Sequence, residues 1–222
     1  MEQHTMRLTL LSALIAVSLS ATAFASSDDV SKINGTASVD AGAHAGNVST
    51  VNGSVRIGDK AVIEKASTVN GSVDLGDGAT ANTVKTVNGS LTLGERSQVS
   101  GEVENVNGRV KLENGAEVKG HLSNVNGDIT MDHAHVGGGI ETVNSSITVG
   151  EGSKVDGGIL VKKPNMGWHS SDSRPPTIVI GPHAVVNGTM TFEREVKLYV
   201  SDSATVGKIE GATAQKFSGA SP

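Results

Sequence analysis

Histidines and carboxylates are the residues here with the most chemical reach, so their spacing comes first. His133 and His135 stand two residues apart, and His121 lies one repeat earlier. A metal site needs three or four convergent ligands with a supporting second shell. Strand alternation sends His121 and His135 outward beside inward Leu122 and Val136, and His133 falls at a turn. The three occupy different columns and read as solvated surface, as do His44 and His183 in turn-like positions. Asp59, Asp77, Glu95, Glu113, Asp132 and Glu151 repeat at one corner, with Asp132 slightly out of register. Glycan cleavage needs carboxylates or a base clustered on one face, whereas so regular a corner reads as a turn preference. No catalytic residue, metal set or cofactor is assigned.

Two further patterns bear on binding. Thr50, Thr68, Thr86 and Thr142 form a column expected to face outward, interrupted by Asn105 and Asn124. Beside it run Ser49, Ser67, Lys85, Glu104, Ser123 and Glu141, whose charges break any flat array suited to ice. Leu160 to Pro176 carries Trp168, His169 and Arg174 in a long polar excursion. Binding energy concentrates on Trp, Tyr and Arg, and long loops on regular scaffolds often carry function. Those three residues are the candidate partner contacts.

What must position all of these is a repeat. Asn34, Asn52, Asn70, Asn88, Asn107, Asn126 and Asn144 follow one another at steps of 18, 18, 18, 19, 19 and 18 residues, nearly always within Val-Asn-Gly. Such a period marks a solenoid. Apolar residues alternate with polar ones over short runs, and β-branched residues dominate, as half-buried strands require. Large apolar residues recur at six (Val51, Ile57, Ile63, Val69, Leu75), so three six-residue sides make one coil. The fold class is all-β: a single-stranded, three-sided β-helix with coils of ~18 residues. The asparagines read as a structural ladder in which stacked amides satisfy one another. In the mature part, aromatic residues (Trp168, Phe192, Tyr199, Phe217) lie only in the last quarter, which suits a thin interior of Val, Ile, Leu and Ala.

The organisation follows. Residues 1–25 read as a signal peptide, with Arg7, the apolar run Leu8 to Leu19 and Ala23-Phe24-Ala25 before Ser26. Regular coils span 26–159, the excursion 160–177, further coils 178–211 and a flexible tail 212–222. The apolar run is short for a span, which takes about 20 residues, and no later segment is long and apolar enough. With no cysteine, disulfides, thiolate chemistry and lipid attachment at a mature N-terminal Cys drop out. A net charge of −5 spread along the chain argues against nucleic acid.

Ile178 to Gly211, with Ile-Val-Ile-Gly-Pro-His-Ala-Val-Val-Asn-Gly and then Val-Lys-Leu-Tyr-Val-Ser-Asp-Ser-Ala-Thr-Val-Gly-Lys-Ile, resembles the bactofilin family of polymer-forming β-helices. The Val-Asn-Gly-Ser-Val repeats also resemble bacterial adhesin domains of the β-solenoid type. The resemblance covers most of residues 30–211 and implies a right-handed helix, with end-to-end self-association. The six-residue phrasing is also similar to left-handed hexapeptide-repeat proteins. Bactofilins are cytoplasmic, whereas this chain reads as exported. The expected function is an exported envelope protein, periplasmic or at the cell surface: a rigid scaffold, adhesin-like module or self-assembling rod. Its partner would be a protein or envelope polysaccharide. The alternative is a secreted β-helix enzyme or ligand-binding protein acting on envelope polysaccharide through the Trp168 loop.

Overall fold

The computed structural model describes residues 29–164 and 174–222. Every described strand pairs in parallel with the strand one coil away, and no helix occurs among the described residues. A coil has three strand positions, as in Leu91–Leu93, Gln98–Val99 and Val103–Asn107. The first position builds a ten-stranded sheet running from Ala37–Val39 to Ala214–Phe217, so the solenoid has about ten turns. At about 4.8 Å per rung this makes a rod roughly 40–45 Å long.

The core is a set of inward columns one residue wide. Val110 lies between Leu91 and Ile129 in register, and all three are fully buried. Val103 lies likewise between Val84 and Leu122. A buried small-residue column, Ala61, Ala79, Ser97, Ala116, Ala134 and Ser153, marks one corner. There the amide of Ala61 bonds the carbonyl of Gly58 at 3.1 Å, closing a turn that most coils repeat.

That corner follows a rule of its own. The residue with positive φ alternates between glycine and a long side chain: Gly42, Lys60, Gly78, Arg96, Gly115, His133, Gly152, His183. Stacked turns explain the alternation. A Cβ at Gly115 would sit 3.0 Å from Cγ of Arg96, and one at Gly152 would sit 2.9 Å from Cδ2 of His133. At Arg96 and His133 the long side chain thus folds over the next coil's turn, where a Cβ would be crowded.

The structure corrects one inward–outward assignment. Thr50, Thr68, Thr86 and Thr142 face the interior, at most 4% exposed, and so do Asn105 and Asn124. Val51, Val69, Val87, Val106 and Val125 are instead partly exposed. Alternation decides this: buried Val48 fixes Ser49 outward, Thr50 inward and Val51 outward. The hydroxyl is tolerated because Thr68 donates to the carbonyl of Gly53 at 2.8 Å, a bond repeated by Thr50 and Thr86.

Segment boundaries also shift. Ile159–Val161 and Thr177–Ile180 are strands within the solenoid, so the excursion is confined to 162–176. The 212–222 tail is not wholly loose, because Ala214–Phe217 pairs with Leu198 to Ser201 and forms the last rung.

Candidate functional site at the end of the asparagine ladder

The Val-Asn-Gly corner brings successive backbones very close. A Cβ at Gly71 would lie 2.0 Å from the carbonyl oxygen of Gly53, and Gly53, Gly89, Gly108 and Gly127 are as tightly placed, so only glycine fits after these asparagines. The side-chain amides then bond along one column. Asn52 donates to Asn34 at 3.2 Å, Asn70 to Asn52 at 2.9 Å, Asn88 to Asn70 at 3.0 Å and Asn107 to Asn88 at 3.0 Å. Asn126 donates to Asn107 at 2.9 Å, and Asn144 to Asn126 at 2.9 Å. The amides sit on an exposed edge, with Asn126 and Asn144 half-buried, rather than in the interior.

The ladder stops at Asn144, and charge gathers where it stops. Ser145 replaces the glycine there. It is fully buried, its N–H turns to Oγ1 of Thr142 at 3.0 Å, and its hydroxyl points toward the carbonyl of Asn124 at 3.4 Å. Above it the chain leaves for the 162–176 excursion. Lys162 is held by its amide on the Thr142 carbonyl and by its ammonium on Glu141. Lys163 donates its amide to Glu193 at 3.2 Å. Arg194 donates to the carbonyl of Val143 at 3.1 Å and to Oδ1 of Asn144. On the return side, the Thr177 amide donates to Oγ of Ser146 at 3.2 Å. Glu141 and Glu193 thus tie down the outgoing root of the excursion, Arg194 caps the ladder beside them, and Ser146 holds the return root.

Of the predicted contact residues, Arg174 is exposed at the return root, while Trp168 and His169 lie outside the described residues. Sequence reading missed Arg194 and Glu193. Their signal was the charged run Glu193-Arg194-Glu195 directly after the buried strand residue Phe192.

Two other polar clusters lie on the faces. Asp156 accepts from Lys154 at 2.9 Å, His135 at 2.7 Å and Asn187 at 2.7 Å, and these donors hold its carboxyl well below the usual carboxylate range. Lys85 contacts Glu102 at 2.7 Å and Glu104 at 3.1 Å. Burial opposes the Lys85 charge, but the hydrogen bonds and charges of Glu102 and Glu104 outweigh it and raise its pKa. The histidines do not converge: His133 bonds Asp132 at 2.7 Å, His135 bonds Asp156, and His121 stands exposed. No group of three or more His, Cys, Asp or Glu side chains arranged to hold a metal ion occurs among the described residues.

These arrangements can pair charges and anchor an excursion. Compared with family profiles, curated proteins and solved structures, the chain matches none.

Proposed function

We propose that this chain is an exported structural or interaction protein of the bacterial envelope, a rigid rod that serves as scaffold or adhesin-like module and can associate with further copies end to end. One observation carries the reading: the inward columns and strand registers continue unbroken past the excursion, from Ile147 to Ile178 to Leu198. Such a rod keeps its two ends at a fixed separation, which suits a spacer or a display module. A partner would be a protein or an envelope polysaccharide. The signal-like N-terminus supports export, and the bactofilin-like phrasing supports association of ends.

A second reading is favoured by the roots of the excursion. Charged side chains tied at the outgoing root of 162–176, with Arg174 exposed at the return root, suit a ligand-binding or enzymatic loop acting on envelope polysaccharide.

Both are tested by expressing the full chain, sequencing the secreted N-terminus and using the mature rod as bait on envelope fractions. Processing after Ala25 is expected, as is specific capture of a protein or glycan. A chain retained unprocessed in the cytoplasm overturns export. A variant with residues 162–175 replaced by a short Gly-Ser linker separates the readings. Lost capture by a folded variant places binding on the excursion; retained capture places it on the faces or ends.

A further inference from the structure

Eight Asn-Gly pairs occur in the sequence, six of them in the ladder column and the others at Asn114 and Asn187. Such pairs share an intrinsic reactivity. The glycine nitrogen attacks the side-chain carbonyl carbon of the preceding asparagine and loses its proton, and the side-chain nitrogen leaves as ammonia. The resulting succinimide is opened by water at either carbonyl, giving aspartate or isoaspartate. Glycine favours the attack because it has no side chain to obstruct the ring. The attacking nitrogen must first be released from any acceptor that its N–H holds.

In this fold the acceptors are unevenly supplied. Within the ladder the amides of Gly35, Gly53, Gly71, Gly89 and Gly108 each bond the carbonyl of the asparagine one coil on, at 2.8–2.9 Å. Gly115 bonds the carbonyl of His133 at 3.0 Å. The amides of Gly127 and Gly188 have no acceptor among the described residues.

The cause at Gly127 is one residue in the coil above. There the sequence reads Asn144-Ser145 instead of Asn-Gly. The glycine stack has no room for a Cβ, which at Gly108 would meet the Gly89 carbonyl oxygen at 2.2 Å. Ser145 therefore turns inward, Asn144 bonds through its own amide to Val125, and its carbonyl is not handed to Gly127. At Gly188 a different run ends. Gly138 bonds Gly120, and Gly120 bonds Gly101, but the run stops there: neither Gly157 nor Gly188 above it continues the bond.

We propose that Asn126 and Asn187 are succinimide-forming modification sites in the folded protein, and that backbone hydrogen bonds shield the other six Asn-Gly pairs. The consequences are local and opposite to the ladder's purpose. A carboxylate at position 126 keeps the acceptor for Asn144 but loses the donor to Asn107, leaving two oxygens facing each other across that rung. At position 187 it would bring a second negative charge against Asp156, whose Oδ1 now accepts from Asn187 at 2.7 Å.

The experiment ages the purified full chain at mildly alkaline pH, once folded and once in urea. Peptide mapping with fragmentation that separates aspartate from isoaspartate then gives a rate for each pair. In urea all eight pairs should react at similar rates. In the folded chain Asn126 and Asn187 should react about tenfold faster than the rest, the factor expected from one backbone hydrogen bond that the others must first break. Uniform rates in the folded chain, or a different pair reacting fastest, overturn the proposal. Ser145→Gly should restore the regular corner, slowing Asn126 and leaving Asn187 unchanged. A folded Ser145→Gly chain in which Asn126 reacts as fast as before also overturns it. Should that variant not fold, the ranking in the folded natural sequence decides alone.

Discussion

Arg194 closes the asparagine ladder at Asn144, reaching it from 50 residues further along the chain. Each earlier asparagine accepts from the next one up, so the last has an acceptor with no rung above it. The guanidinium takes that place and also binds the neighbouring carbonyl of Val143. Arg194→Ala should cost about 1–3 kcal/mol, the range for hydrogen bonds to charged groups and for carbonyls left unpaired. In urea titration, Asn144→Ala and Arg194→Ala together should cost less than the sum of the two, because they share one contact. Strict additivity would mean that Arg194 acts through other contacts and does not cap the ladder.

The interior threonines make a second prediction. Thr68→Val keeps shape but strips the Gly53 carbonyl of its donor, at an expected cost of about 1–2 kcal/mol. Val69→Thr, one residue on and partly exposed, should lie within about 0.5 kcal/mol of neutral. Val110→Asp should cost several kcal/mol by placing an unpaired charge in a dry interior, far more than Lys111→Asp, which forfeits only an exposed pair with Glu113. Equal midpoints within either pair contradict the assigned parity.

Acid and alkali should act on different clusters. The folded pKa of Asp156 is depressed, so its contribution is complete above its unfolded value and is lost as pH falls below about 4. Asp156→Asn should therefore flatten the acid limb of the stability–pH curve and change little at neutral pH, because the site is partly solvated. Lys85 behaves the opposite way: its raised pKa gives stability that is present at neutral pH and lost as pH climbs through the folded value. Lys85→Gln should remove that alkaline loss. Parallel curves for variant and natural chain, measured by denaturation across pH, would refute either assignment.

Some features of the fold are legible in the sequence and others are not, residue by residue. The period, the three strand positions and the columns headed by Val55 and Ile57 were legible, because burial at each recurs coil after coil. The parity error at Thr50 and Val51 arose from ranking residues by hydropathy. In a strand the phase is set by the nearest fully buried neighbour, here Val48, and a hydroxyl can face inward once a carbonyl meets it. The cap on the ladder was not legible, since Arg194 and Asn144 lie far apart in sequence and no repeat links them. The alternation of Gly115 with Arg96 was present in the sequence. It needed the stacked turns to show that one side chain covers the next.

The last prediction concerns coil length. The inward threonine column becomes asparagine at Asn105 and Asn124, within the two 19-residue steps of the ladder. Three residues, Ser100 to Glu102, lie between paired positions where the coil below has two, Asn82 and Thr83. In these two coils the longer amide takes the hydroxyl's part: Asn105 and Asn124 both donate to the Gly108 carbonyl at 3.0 Å. Their Oδ1 atoms find no partner among the described residues, so the fit costs something even in place. Asn105→Thr should lose the bond and leave a void, destabilising by about 1–3 kcal/mol. Thr86→Asn, directly below in an 18-residue coil, should also destabilise by about 1–3 kcal/mol, there by overpacking. Losses in both directions, read from thermal or urea midpoints, are what a length-matched interior requires. A stabilising Asn105→Thr would mean that the asparagines are kept for some purpose other than filling the longer coil.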